Sequence, residues 1–449
     1  MKPSQALRAF WERRRAPDEW ALVARGTSHS FLLQGVGLGL GYAVHIALAR
    51  WLGAAEYGIY TYVLAWTALL SIPAGLGLPW LVVRFVPEYR VAESWGLLRG
   101  LLGWGWRWIA LAGLALALAG VAIVLSSEVR QGVYAVPLLV GLWLIPLQAF
   151  MRYAAGIFRA FHRLGRAYAL PVLRHTLVLA LVFLVVLDRQ ALTSVQALAV
   201  TIGAVALVLV AQAPGLLRLR PDAVRCAQAV YEARGWLQVS LLLLLGSGFS
   251  LLLNETDILM VGTLLGPREA GIYRAASKTA QLAAFVLAAV AAAAAPVIAT
   301  LHAQGNLQKL QRLLSVLAHW IFWPSLALVL VLALAAVPVL RFFGPGFEAG
   351  RWALLILAAG QLVLAGMGLS ISLLSMTGHH GWVASVLGWC VLLNLMLNAA
   401  CILWLGLVGA ALATAVALII TAVAFCLVAR RRLRVDPSII FALWGKALQ

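Results

Sequence analysis

Twelve long apolar runs follow one another along this 449-residue chain. They cover about residues 28–50, 57–82, 102–126, 133–157, 168–187, 194–216, 236–262, 271–298, 315–340, 352–376, 382–404 and 407–429. Backbone polar groups in hydrocarbon must be paired internally, so runs of about 20 apolar residues are predicted to be membrane-spanning helices. Charged residues make up only 11% of the sequence, too few to cover a water-facing surface. We therefore expect an all-α polytopic membrane protein with about twelve transmembrane helices.

The distribution of basic residues predicts the orientation of these helices. Of the 34 Lys and Arg residues, six lie in connections that follow odd-numbered runs. The termini, the other connections and the helix ends beside them hold 25. This asymmetry places both termini in the cytoplasm, and we expect the membrane to be a bacterial inner membrane. It also accounts for the net charge of +19 without a nucleic-acid partner.

An internal repeat divides the chain into two halves. Residues 52–60 read LGAAEYGIY and residues 265–273 read LGPREAGIY, with six of nine positions identical. Arg99 and Arg312 are related by the same spacing of 213 positions. Each half holds an even number of runs, so the halves share one orientation. We expect two six-helix bundles related by a pseudo-twofold axis along the membrane normal, with the cargo path between them.

The predicted segments leave no room for a soluble catalytic domain. They are a basic N-terminal segment (1–25), the first bundle (26–217), a central linker (218–235), the second bundle (236–430) and a C-terminal tail (431–449). The sequence contains no phosphate-binding GxxxxGK[ST] loop, and His379-His380 has no carboxylate or cysteine partners nearby. These observations predict a protein that is not an enzyme and that carries no metal or cofactor. They also argue against a membrane-embedded glycosyl polymerase or ligase.

Several short motifs resemble one known family. In the first half they are residues 52–60, 75–78 (GLGL) and 84–90 (RFVPEYR). In the second half they are Asp257, residues 271–276 (GIYRAA), Pro296, residues 343–344, 354–357 and 376–378, Asn394, Asn398 and residues 409–414 (GAALAT). Their order resembles the polysaccharide-export, O-antigen-flippase-like family of the multidrug/oligosaccharidyl-lipid/polysaccharide (MOP) exporter superfamily. The resemblance implies a MATE-like architecture, alternating access and a polyprenyl-pyrophosphate-linked oligosaccharide as cargo, with membrane lipids and other polysaccharide-assembly proteins as partners.

Cationic side chains inside the apolar runs are the first candidates for cargo contact. Arg174, Arg274 and Lys278 are costly in hydrocarbon and should face a polar cavity, where they can bind phosphate. Arg174 is followed by His175, and adjacent helical residues point about 100° apart, so we expect only one of them to face the cavity. Arg84 is a candidate at the cytoplasmic mouth. Asn394 and Asn398, four residues apart, either contact sugar or join helices.

A second set of residues is predicted to serve ion coupling or gating. Glu255 and Asp257 should lie at a depth similar to that of Arg274 and Lys278, and His45 lies near the outer end of the first run. The four charges either bind cargo and gate a sodium ion or proton, or form salt bridges that lock two helices. An ion-coupled drug or metabolite antiporter of the same superfamily is the alternative function. Cations inside the runs favour an anionic cargo over that alternative.

Overall fold

The computed structural model describes residues 19–187, 192–219 and 221–444, and these residues contain helices and no strand. The first half consists of α1 (Glu19–Gly75), α2 (Leu78–Val91), α3 (Trp95–Ser126), α4 (Ala135–Gly141), α5 (Leu144–Ala160), α6 (Leu164–Leu187) and α7 (Ser194–Arg218). The second consists of α8 (Asp222–Cys226), α9 (Ala233–Leu264), α10 (Pro267–Ala280), α11 (Ala284–Ala303), α12 (Leu307–Leu334), α13 (Ala336–Arg341), α14 (Arg351–Gly366), α15 (Ser370–Met376), α16 (His380–Leu433) and α17 (Ile439–Trp444). Short 3₁₀ segments cover Glu128–Gln131, Gln281–Ala283 and Phe347–Gly350.

Two of these helices each contain a break at a glycine. Gly53 in α1 has φ +74° and Gly406 in α16 has φ +57°, values that glycine adopts without steric cost. Gly266, the repeat equivalent of Gly53, has φ +104° between α9 and α10. Nine helices in the described part are apolar and long enough to span a membrane, and α9 makes a tenth when its two bent segments are joined. Because α1 and α16 each cross twice, the prediction of about twelve crossings in two bundles is confirmed.

The two halves repeat the same buried polar contact. Tyr60 and Tyr273, equivalent in the repeat, each lie within hydrogen-bond distance of a threonine hydroxyl in the last long helix of their own half. The distance from Tyr60 Oη to Thr201 Oγ1 is 3.1 Å, and that from Tyr273 Oη to Thr414 Oγ1 is 3.2 Å. The internal symmetry read from the sequence therefore extends to side-chain packing.

The helices have two ends, which we name for reference. The basic face is the side of the protein where α3 and α6 begin and where α8 lies. The opposite face is the side that contains the Gly53 and Gly266 turns. On the basic face, the segment after each half folds back over its own bundle. The linker around α8 reaches α3, where Arg99 donates to the carbonyl oxygens of Arg225 and Ala227 at 2.6 and 2.7 Å. The C-terminal α17 packs against α12. Of the predicted segment 1–25, residues 1–18 lie outside the described part.

Candidate functional site

A cavity of about 530 Å³ lies between the two halves, and we call it the central cavity. Its walls come from α1 and α6 of the first half and from α10 and α11 of the second, with the Gln281–Ala283 turn between them. The polar side chains on the wall are Gln34, Tyr42, His45, Tyr168, Arg174, His175, Lys278 and Gln281. Among the described residues that line this cavity there is no carboxylate. The central cavity therefore carries positive charge and suits an anionic group.

Arg174 and His175 form the cationic wall contributed by α6. The Arg174 guanidinium Nη2 lies 2.7 Å from His175 Nε2, and both residues line the cavity. The expectation that only one of these neighbours would face the cavity is therefore wrong, because the two side chains turn toward each other. Gly41 of α1 makes room for the imidazole, since a Cβ at that position would lie 2.9 Å from His175 Cε1.

The facing wall carries Lys278 and a set of hydroxyl and amide groups. Lys278 Nζ donates to Gln281 Oε1 at 3.3 Å, and Tyr42 Oη lies 3.0 Å from Thr279 Oγ1. His45 also lines the cavity, with Nδ1 2.9 Å from the buried Tyr57 hydroxyl. The structure thus brings three predicted residues, His45, Arg174 and Lys278, to one chamber. Their predicted roles in cargo binding and gating stay predictions.

The repeat motif closes the opposite-face side of the central cavity. A Cβ built on Gly58 would lie 2.7 Å from the Pro267 carbonyl carbon and 2.8 Å from Gly271 N, closer than real Cβ atoms come. A Cβ on Gly271 would likewise overlap the Ala54 carbonyl oxygen. Because Gly58 and Gly271 are repeat equivalents, the contact is symmetric. We call it the glycine contact, and it leaves the chamber in the half of the protein nearer the basic face.

Arg274 is paired with Glu255 and does not line the central cavity. Its Nη2 lies 3.0 Å from Glu255 Oε2, and both side chains are almost fully buried between α10 and α9. Of the two interpretations left open by the sequence, this geometry favours an ion pair that joins helices. Direct contact between Arg274 and cargo is not supported in this conformation, because the guanidinium is buried against the Glu255 carboxylate.

Asp257 is the centre of a buried polar cluster in the second half. Its Oδ2 accepts hydrogen bonds from Thr414 Oγ1 at 2.6 Å and Tyr273 Oη at 3.1 Å, and its Oδ1 accepts from Asn398 Nδ2 at 2.9 Å. Asn398 Oδ1 is buried and has no hydrogen-bond partner among the described residues. Carboxylate, amide and hydroxyl oxygens are the ligands that hard cations prefer. The cluster can therefore hold either a proton or a small cation.

The first half has no counterpart of this carboxylate. The position equivalent to Asp257 is Val44, which is buried, and the Tyr60–Thr201 pair is the equivalent of Tyr273–Thr414. The same tyrosine–threonine packing thus forms without a charge in one half and with one in the other. Helix packing alone does not require Asp257, because isolated buried charge rarely adds stability.

Three predicted cargo contacts lie away from the central cavity. Asn394 and Asn398 are buried, and Asn398 Nδ2 donates both to Asp257 and to the Asn394 carbonyl. In this structure both asparagines are part of the Asp257 cluster, which favours the interpretation that they join helices. Contact between these asparagines and sugar stays a prediction. Arg84 is exposed in the middle of α2, with its guanidinium carbon 5.4 Å from the centre of the Phe85 ring, and it does not line the cavity.

Sequence reasoning missed several members of these sites, among them Gln34, Tyr168 and Gln281 on the cavity wall, and two further cases show why. Thr414 lies in the GAALAT motif, and the repeated tyrosine–threonine contact identifies it only in three dimensions. Tyr42 lies four residues after Leu38 and three before His45 on one face of α1, a spacing typical of packed helices as well as of cavity walls. Among the described residues, no group of three or more His, Cys, Asp or Glu side chains could hold a metal ion.

Comparisons with known proteins agree on one family and one fold. The family model described as polysaccharide biosynthesis protein matches residues 23–302, and the MatE model matches residues 243–400. A curated relative, the probable low-salt glycan biosynthesis flippase Agl15 of Haloferax volcanii, is 26% identical over 418 residues, which are 89% of this chain and 82% of the relative.

Solved structures of MOP superfamily transporters share the fold at low sequence identity. An inward-facing multidrug resistance MATE family transporter has a TM-score of 0.73 at 16% identity, covering 89% of this chain and 94% of that one. A MOP superfamily transporter from Pyrococcus furiosus, whose binding pocket is described as reversed in polarity, has a TM-score of 0.65 at 16% identity, covering 91% and 95%.

Proposed function

Since this chain belongs to the polysaccharide biosynthesis protein family, with the fold of MOP superfamily transporters, we propose that it flips a polyprenyl-pyrophosphate-linked oligosaccharide across the bacterial inner membrane. The observation that carries the proposal is the central cavity, which has Arg174, His175 and Lys278 on its wall and no carboxylate among its described lining residues. A pyrophosphate head is anionic and hydrated, so its passage requires a polar chamber with cationic donors. The curated glycan flippase relative supports the same cargo class.

The proposed orientation places the basic face in the cytoplasm, with both termini on that side. Basic residues concentrate on this face, as the positive-inside rule requires for cytoplasmic connections. In this orientation the central cavity receives a lipid-linked head from the cytoplasmic leaflet while the glycine contact seals the periplasmic side. Release then requires the glycine contact to part, which is alternating access between the two bundles.

Substitution of the cavity cations tests the cargo assignment. Arg174→Ala and Lys278→Ala should each slow flipping of a defined polyprenyl-pyrophosphate oligosaccharide in proteoliposomes by roughly 10- to 100-fold, because a hydrogen bond to a charged group contributes about 1.5–3 kcal/mol. Arg431→Ala, which removes an exposed arginine outside the cavity, is the control. Wild-type flipping by both cavity variants would contradict the proposal. Export of a cationic drug at the same rate by the wild type and both cavity variants would also contradict the proposal, since the antiporter alternative predicts that result.

We further propose that Asp257 couples transport to a sodium or proton gradient. Asp257 is a buried carboxylate, and the equivalent position in the first half carries none. The side-chain oxygen of the neighbouring Asn398 has no hydrogen-bond partner among the described residues. Asp257→Asn should abolish the dependence of flipping on an imposed gradient. The repeat supplies a matched pair of controls. Thr414→Val, which removes a hydrogen bond to Asp257, should shift the ion dependence, whereas Thr201→Val should not. Equal effects from the two threonine variants would contradict coupling at Asp257.

A further inference from the structure

A second cavity lies on the basic face, at the edge of the second bundle and separate from the central cavity. It has a volume of about 860 Å³ and lies between the start of α12 and the chain after α16. We call residues 434–444 the return segment and this space the return cavity. Its polar wall consists of Gln308, Gln311, Arg312, Ser315, His319 and Arg434. None of these residues lines the central cavity, so the return cavity is separate from the cavity proposed to hold the cargo head.

The wall of the return cavity is held by a compact polar network. Arg434 adopts a left-handed conformation (φ +54°) at the end of α16 and turns the chain back toward α12. Gln311 then exchanges two hydrogen bonds of 2.7 Å with the Asp436 backbone. Arg430 forms a 2.6 Å ion pair with Asp436, whose Oδ1 also accepts from Ser438 N. These bonds fix the path of the return segment beside α12, so the open space next to the start of α12 is part of the folded structure.

Two guanidinium groups on this wall have no protein partner. Neither Arg312 nor Arg434 makes a side-chain hydrogen bond or ion pair with any residue in the described part of the chain. The repeat gives the comparison. Arg99, the equivalent of Arg312, donates to two linker carbonyls at 2.6 and 2.7 Å, whereas Arg312 is exposed on the cavity wall and no carbonyl of the described return segment accepts from it. The position that forms an intramolecular hydrogen-bonded contact in the first half therefore lines a cationic cavity in the second half.

The remaining wall is apolar and continues into an exposed side of α12 that carries two tryptophans. Val316, Trp320 and Phe441 line the cavity, and Trp320 is 67% exposed. Trp323, one turn further along α12, is 51% exposed. Exposed tryptophans beside a row of basic residues are typical of the membrane–water interface, where lipid headgroups lie. A ligand here would have its anionic part at the arginines and its apolar part along α12.

We propose that the return cavity binds the headgroup of an anionic phospholipid, with its phosphate at Arg312 and Arg434 and its acyl chains along the tryptophan side of α12. A phospholipid fits better than free phosphate because the cavity is far larger than one phosphate ion and continues into an apolar surface. The assignment agrees with the general behaviour of basic pockets between membrane helices on the cytoplasmic side. It does not depend on the identity of the transported glycan.

Lipid retention by the purified full-length protein tests this site. In native mass spectrometry with titrated lipid, phosphatidylglycerol should bind the wild type more tightly than phosphatidylcholine. The double variant Arg312→Ala/Arg434→Ala should weaken phosphatidylglycerol binding about 30-fold, since each basic side chain near a membrane contributes about 1 kcal/mol. Arg312→Lys/Arg434→Lys should retain most of the affinity. Arg163→Ala/Arg431→Ala removes two exposed arginines elsewhere on the basic face and should bind phosphatidylglycerol as the wild type does.

Three results would overturn the proposal. One is equal binding of phosphatidylglycerol and phosphatidylcholine to the wild type. Another is competition by inorganic phosphate as effective as competition by phosphatidylglycerol, which would make the site one for a soluble anion. The third is selective phosphatidylglycerol binding that appears only after residues 445–449 are deleted, which would identify that segment as the occupant. Arg312 and Arg434 are exposed and their side chains bind no other described residue, so their replacement removes no hydrogen bond or ion pair from the described fold.

Discussion

The glycine contact is the place where one methyl group should change the conformational equilibrium. In Gly58→Ala the new Cβ would lie 2.7 Å from the Pro267 carbonyl carbon, whereas ordinary contact begins at 3.4 Å. The two helices must therefore separate by at least about 0.7 Å, and by more beside the Pro267 carbonyl oxygen. Overpacking of this kind costs about 1–3 kcal/mol. Because the cost falls only on the state in which the halves touch here, the open state should gain roughly 5- to 150-fold in population.

Cysteine accessibility measures this shift. Gln281→Cys, on the wall of the central cavity, serves as the reporter in a protein without its four native cysteines. A membrane-impermeant maleimide added outside intact cells should label this reporter faster in Gly58→Ala than in the parent. Gly39→Ala is the matched control, because nothing lies within 4 Å of a Cβ at that position of the same helix. Labelling of Gly58→Ala at the parent rate, with an unchanged melting temperature, would refute the closed contact.

Three further predictions concern polar pairs. Glu255→Gln should lower the free energy of unfolding by roughly 3–5 kcal/mol because it leaves Arg274 charged and unpaired, and the double variant Glu255→Gln/Arg274→Gln should recover most of that loss. Thermal unfolding in detergent measures both effects, and equal melting temperatures for the single and double variants would contradict the prediction. Trp236→Phe should lower the free energy of unfolding by about 1–3 kcal/mol, because the buried indole donates a hydrogen bond to Tyr89 Oη at 2.9 Å. The same thermal assay measures this loss, and an unchanged melting temperature would mean that the bond contributes nothing to stability. Gln311→Ala should free the return segment, seen as faster amide hydrogen exchange across residues 434–444 than in Gln308→Ala, and equal exchange would count against the Asp436 network.

The candidate site was only partly predictable from the sequence. Placement of Arg174 and Lys278 in apolar runs identified them as candidates, since charge in a span needs a polar environment, and both line the central cavity. Arg274 also lies in an apolar run, but its charge is compensated by the ion pair with Glu255 and not by the cavity. The rule states that a charge must be compensated, and a cavity or a carboxylate compensates equally well. Asn394 and Asn398 show the same ambiguity, because their spacing fixes a shared helix face but not the helix that covers it.

By itself the sequence determined the twelve crossings, the two equivalent halves and the bias of basic residues toward one face. These properties follow from local rules, because hydrocarbon forces each apolar run into a helix and the repeat relates positions at a fixed spacing. Only the tertiary structure decided which charges face the chamber, that Asp257 meets Asn398 across 141 residues of chain, and that Gly58 meets Gly271. Those contacts depend on how helices distant in sequence pack, and the pattern within any one helix does not specify its neighbours.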